Sequence, residues 1–282
     1  AKKVEAVGLD SLWMANIRSL DAISTLTIAG CNTVRIELGT AVTPIYPRHP
    51  TALAQQALTA EQVCGGRFTL GIGVSHKVVV EGVLGMSYEK PARYMRDYLR
   101  ALLPLLRREV TEYKGENFEV NGLQIDMPDV APVPTILAAL GPVMLKLAGQ
   151  LTDGTNTWMV GPKTIENHIA CHLNSAAEKA GRPAPRIIAG FPIVLTTKVT
   201  EAREKLAKGL EIYGQLPSYR AMLDREGVDS PADLALIGDE DVLRTNLLSI
   251  ESSGVTDFNA AIMDIEPGAF ERTFEFVASL KS

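Results

Sequence analysis

Apolar and polar positions along the chain follow two alternating patterns. Short runs are apolar throughout or at every second residue, and longer stretches carry apolar side chains every three or four residues. The short runs predict strands at 9–14, 33–42, 68–72, 134–139, 154–159, 186–196 and 255–262. The longer stretches predict helices at 20–30, 51–64, 92–107, 142–151, 164–180, 239–253 and 268–280, with further helices between 200 and 225. Residues 1–7 look like the tail of a helix closed by Gly8. Pro44, Pro47 and Pro50 break the backbone before the third helix, and residues 78–88 read as a loop. Between 113 and 125 the pattern makes a small excursion, and Asn121-Gly122 predicts a hairpin turn there.

Strands separated by helical crossovers are parallel, so the order predicts either a doubly wound sheet or a closed barrel. Seven strands preceded by a helix imply that the first strand of eight is missing from this sequence, and a (β/α)8 TIM barrel then closes on count. A length of 282 residues is normal for one such barrel, and nothing in 1–282 reads as an interdomain linker, so a single domain with insertions is expected. Both architectures place ligands at the carboxyl ends of strands, here Asn16, 40–43, 73–76, 139–142 and 158–161.

Residues 65–76 concentrate this expectation. Gly65 and Gly66 end a helix, 68–72 form a buried strand, and Gly73 begins a glycine- and polar-rich exit. Gly71 and Gly73 fit either close approach of a ligand to the backbone or relief of crowding within the sheet.

Composition narrows the class. The chain is 46% hydrophobic with no run of membrane-spanning length, which predicts a soluble globular protein without a membrane partner. Lys and Arg total 28 against 33 Asp and Glu, a net charge of -5, and no basic run offers a nucleic-acid surface. No signal peptide is evident, and Cys31, Cys64 and Cys171 lack a CxxC spacing, so reduced, mostly buried cysteines in a cytoplasmic protein are expected. The dinucleotide fingerprint, the GxxxxGK[ST] loop and the GxSxG elbow are all absent. His168 and His172 share a helix face near Glu166, but without a third ligand the pair reads as an ordinary helix surface, and no metal is expected.

Several motifs in order, Gly65 to Gly73 (GGRFTLGIG), Leu38 to Pro44 (LGTAVTP), Gly8 to Trp13, Ala138 to Pro142, Thr152-Asp153-Gly154 and Gly254 to Phe258, resemble the luciferase-like monooxygenase superfamily of flavin and deazaflavin TIM barrels. Tyr46-Pro47-Arg48-His49-Pro50 and Ser75-His76-Lys77 are most similar to its coenzyme F-420-dependent oxidoreductase branch.

The resemblance implies a hydride-transferring enzyme with coenzyme F-420 as cofactor and a small organic substrate. Its alternatives are an FMN-dependent monooxygenase using reduced flavin and oxygen, and a flavin-binding barrel without turnover. It places a non-prolyl cis peptide at Ala41-Val42 under the ring, flanked by Thr40 and Thr43 hydroxyls, with the glycines making room for the ring. Gly73, Val74 and Ser75 match the loop beneath ring or ribityl chain. Ala139, Gly141 and Pro142 match the next strand end, where a helix start suits a phosphate, although a plain turn with Pro at the first helical position explains the same dipeptide. Asn16 stands where relatives carry an acidic or histidine pair, which speaks against sugar-phosphate dehydrogenation. His76 is either a general acid or proton relay, or a hydrogen-bond partner of cofactor or loop. His49 before Pro50 suggests a capping role. Tyr213 and 217–220 fit a lid or a solvated helical hairpin, and Trp158 and Met159 fit a pocket wall or packing. A homodimer and a reductase supplying reduced cofactor are the protein partners the resemblance admits.

Overall fold

The strand and helix periods materialise where the side chains can be buried on one face. The computed structural model describes residues 1–127 and 129–281. The chain divides into two compact units, Ala1–Ala138 with Leu151–Asp153, and Ala139–Gln150 with Gly154–Ser282.

In the first unit, β1 (Ser11–Met14), β2 (Glu37–Thr40), β4 (Phe68–Gly73) and β7 (Thr135–Ala138) pair in that order, all parallel, and the short β3 (Thr43–Pro44) also pairs with β4. Every residue of β4 is buried, as a continuous apolar run inside a covered parallel sheet should be. Leu53, Ala54, Ala57 and Leu58 of the helix Pro50–Val63 are buried, as are Met95, Tyr98, Leu99 and Leu102 of the helix Pro91–Leu106. His49 caps the first of these helices through Nδ1, which accepts from the Thr51 amide. Arg67, just before β4, donates to the carbonyls of Gly30, Thr33 and Ile36, while the Phe68 amide donates to buried Glu61 at 2.8 Å. The conspicuous GGRF sequence is therefore a structural staple at the amino end of the strand.

Expectations about the hairpin, a loop and the cysteines change. The antiparallel hairpin pairs β5 (Thr111–Lys114) with β6 (Glu119–Leu123), and its turn is at 115–118, closed by Gly115 N–H to Phe118 carbonyl. Asn121-Gly122 lies inside β6, where two residues face Glu112 alone and Gly122, at φ 64°, makes a bulge. The 78–88 loop contains a helix, Lys77–Gly82, too short to show a period. Of the cysteines, only Cys64 is buried, and Cys31 and Cys171 are exposed free thiols.

In the second unit, β9 (Arg186–Leu195) is flanked in parallel by β8 (Gly154–Trp158), by β11 (Asp257–Ile262) and, at its carboxyl end, by β10 (Leu236–Gly238), whose three residues escaped the periodicity. Arg186 and Asp257 form an ion pair of 2.5 Å between β9 and β11. The helices Val199–Gln215 and Pro217–Glu226 pack Leu206, Leu210 and Leu223 into one cluster with Met159, Val194 and Ile237, and Trp158, Tyr213 and Tyr219 lie against it. The inserted helices are thus anchored on an apolar core that they share with the strands. No helix among the described residues is long and apolar enough to cross a membrane.

The feature that matters most for the site is an irregularity between β2 and β3. Gly39 pairs with Thr69 and Thr43 with Ile72, so Thr40, Ala41 and Val42 stand opposite only Leu70 and Gly71. The bulge presses on β4: a Cβ built on Gly71 would sit 1.9 Å from the Thr40 carbonyl oxygen, and one on Gly73 would sit 2.8 Å from Val42 Cγ2. The space beside both glycines is filled by the bulge, which corrects the expectation that they make room for a ring. Because the obstacle at Gly71 is backbone, Gly71→Ala should destabilise the protein by more than about 3 kcal/mol. Urea denaturation checks this, and a loss below about 1 kcal/mol would show that the bulge yields easily.

Candidate functional site

The bulge sets two threonines apart. The Ala41–Val42 peptide within it is cis. Thr40 is fully buried, and its hydroxyl donates to the Gly71 carbonyl at 2.7 Å while accepting the Gly71 amide at 2.9 Å. That hydroxyl replaces the ladder bond the bulge removes and spends its one hydrogen on the Gly71 carbonyl, so Thr40 has no donor left for a ring, where both threonines were expected to offer hydroxyls. Thr43 is equally buried, yet its Oγ1 has no hydrogen-bond partner among the described residues. A buried hydroxyl left without a partner is costly unless something else supplies one.

Beyond β4 the chain opens. Gly73 is buried, whereas Val74, Ser75 and His76 are half-buried. Ser75 adopts a left-handed backbone, φ 58°, and His76 starts the helix Lys77–Gly82, its carbonyl accepting from the amides of Val79 and Val80. Burial holds the His76 imidazole below the ordinary value of 6.5, so it is neutral at neutral pH. Two tyrosines back this loop. The Tyr88 hydroxyl donates to the Ser75 carbonyl at 3.0 Å, and its ring lies 5.6 Å from that of Tyr46, which stacks in turn on Tyr94 at 4.4 Å.

The strand ends of the first unit thus bring together Thr40, Ala41, Val42, Thr43, Gly73, Val74, Ser75 and His76. Asn16 follows β1, and its Oδ1 accepts the Ala22 amide at 2.9 Å, supporting the start of the helix Ala22–Gly30. Arg48 links this region to the same helix start through Asp21 at 3.0 Å and also donates to the Pro44 carbonyl. Sequence reasoning assigned no role to Tyr46 or Tyr88. Tyr46 was visible only as part of the Tyr46-Pro47-Arg48-His49-Pro50 motif, and Tyr88 only as an aromatic residue at the end of a loop.

In the second unit, Ala139 is buried, and Gly141-Pro142 opens the helix Pro142–Leu151, whose first intrahelical bond runs from the Leu145 amide to the Gly141 carbonyl. A Cβ on Gly141 would meet nothing within 4 Å, so the helix start is open. His168 lies in a π-helical turn, Ile165–Ala170, and is hydrogen-bonded to the Leu140 carbonyl at 2.8 Å. A carbonyl only accepts, so Nε2 carries the hydrogen. Burial lowers the His168 pKa, and His172 Nδ1 is bonded to the His168 carbonyl at 2.8 Å. The two histidines are thus tied to backbone, and no group of three metal-ligating side chains occurs among the described residues. Tyr213 and Tyr219 meet edge to face at 5.0 Å, and Arg220 is held by Asp224, Val228 and Asp229. Burial raises the Tyr213 phenol pKa.

Comparison with known proteins gives this geometry a family. The chain is 29% identical to the 5,10-methylenetetrahydromethanopterin reductase of Methanolobus tindarius over 84% of its own length and 72% of that protein. The structure of a coenzyme F-420-dependent tetrahydromethanopterin reductase from Methanopyrus kandleri matches 98% of the chain and 91% of its own at a TM-score of 0.82, with 21% identity. That of an F-420-dependent secondary alcohol dehydrogenase in complex with an F-420–acetone adduct matches 98% and 91% at 0.83, with 19% identity. These likenesses show the fold, a parallel α/β fold of the TIM-barrel kind. Residues 1–256 match the family described as luciferase-like monooxygenase, and the chain belongs to that family.

Proposed function

We propose that this chain is an oxidoreductase that moves a hydride between coenzyme F-420 and a small organic substrate, with the deazaflavin seated at the carboxyl ends of β2, β3 and β4. The observation that carries this reading is the Thr43 hydroxyl, buried and without a partner beside the bulge. F-420-dependent proteins of the same fold support it. When bound, the deazaflavin supplies the carbon that gives or takes the hydride.

The protein's part is position and a proton. Thr43 would hold the ring through its hydroxyl, and Ala41 and Val42 would pack against it. The half-buried backbone of Val74 and Ser75 would offer amides to carbonyl and hydroxyl oxygens. His76, neutral when free, takes or delivers the substrate proton at its imidazole.

Three outcomes test this. Fluorescence titration of the purified protein should show saturable binding of F-420, and tight FMN binding with no response to F-420 would replace the reading with a flavin-dependent one. Thr43→Val should weaken F-420 binding about tenfold, the worth of one hydrogen bond. It should leave thermal stability unchanged or slightly higher, because the lost hydroxyl has no protein partner. Since burial lowers the His76 pKa, substrate reduction should decline as pH rises through an inflection below 6.5, and substrate oxidation should rise through the same inflection. His76→Ala should abolish the inflection while retaining F-420 affinity, and an unchanged pH profile would remove His76 from the chemistry.

A further inference from the structure

The loop that carries Ser75 and His76 leaves β4 in a conformation that serine does not favour. Ser75 has φ 58°, in the left-handed region that glycine enters freely and other residues enter only when their surroundings hold them there. Its carbonyl is held by one side chain from a distant part of the chain, the Tyr88 hydroxyl at 3.0 Å. Tyr88 is itself positioned. Its ring lies 5.6 Å from Tyr46 with 29° between planes, and Tyr46, 3% exposed, is stacked on Tyr94 at 4.4 Å and 4°. Tyr94 meets Phe118 edge to face at 5.1 Å. Tyr46 follows β3 closely, where the Ile45 amide donates to the Gly73 carbonyl at 3.1 Å. The stack is therefore fixed against both the bulge-bearing segment and the loop after β4.

We propose that Tyr88 is a positioning residue: its hydrogen bond holds Ser75 left-handed, and this presents the Val74–Ser75 backbone and His76 in the conformation that receives the cofactor. The inference rests on the cofactor reading above and deepens it. Burial raises the Tyr88 phenol above its ordinary value of 10.0, so the hydroxyl remains a donor throughout the physiological range. The ring's contribution is packing and the hydroxyl's is conformational, which makes the two separable by substitution.

Tyr88→Phe keeps the ring and removes the donor. It should weaken F-420 binding five- to tenfold by fluorescence titration while the thermal midpoint stays within a degree or two of the parent. In the Ser75→Gly background the same change should cost less than twofold, because glycine adopts positive φ without help. Hydrogen exchange of the free protein should show the amides of residues 74–77 exchanging at least tenfold faster in Tyr88→Phe, with no change in β4. Unaltered F-420 affinity and exchange in Tyr88→Phe, or an equal loss in both backgrounds, would overturn the inference. If the parent protein binds no F-420, the cofactor reading fails. Exchange then decides the inference alone: acceleration confined to 74–77 sustains the Tyr88 latch, and its absence overturns it.

Discussion

The reciprocal pair of hydrogen bonds between the Thr40 hydroxyl and the Gly71 peptide is the interaction on which the site region depends. A bulge of three residues against two removes a regular ladder contact from the middle of a buried sheet, where unpaired peptide groups are costly. The Thr40 hydroxyl restores both bonds at once, and the absence of a side chain at Gly71 lets the two backbones approach closely enough for it to do so. Register then resumes at Thr43, whose hydroxyl is left buried with no protein partner. The same local deformation thus pairs one hydroxyl with backbone and leaves the other without a partner among the described residues.

The charged groups around this region are engaged in architecture. Arg67 binds three carbonyls, Glu61 accepts a strand amide, Glu37 accepts the Thr69 hydroxyl at 2.6 Å, and Arg48 pairs with Asp21. The groups that face the strand ends are a threonine hydroxyl, backbone amides and an imidazole that burial keeps neutral. Hydride chemistry of the kind proposed for this chain asks of the protein directional hydrogen bonds to a polar ring and one group that handles a proton. The tyrosine stack adds rigidity where the backbone enters an unfavoured region.

In the second unit, the inserted helices are held by burial. Leu206, Leu210 and Leu223 share a core with Val194 and Ile237, while the aromatic side chains at the end of β8 and in the insertion remain partly exposed around it. A segment that read as either a lid or a solvated hairpin is attached through an apolar cluster contributed by strands and helices together.

By itself the sequence determined the succession of the longer elements. The 3.6-residue period of the helix Pro50–Val63, the continuous apolar run of β4 and the double glycine between them are local properties, and they survive into the structure unchanged. Local signals failed where a partner distant in the chain intervened. Asn121-Gly122 is a strong turn pair, yet the pairing of β5 with β6 makes it a bulge and turns the chain at 115–118 instead. Thr40 and Thr43 are the same residue type three positions apart, and no local property distinguishes them. Which hydroxyl is spent depends on the strand 31 residues away that lies opposite, and likewise Tyr88 acquires its role from a carbonyl 13 residues back. Periodicity and backbone preference are written residue by residue, whereas the partner of a buried polar group exists only once the strands have found their register.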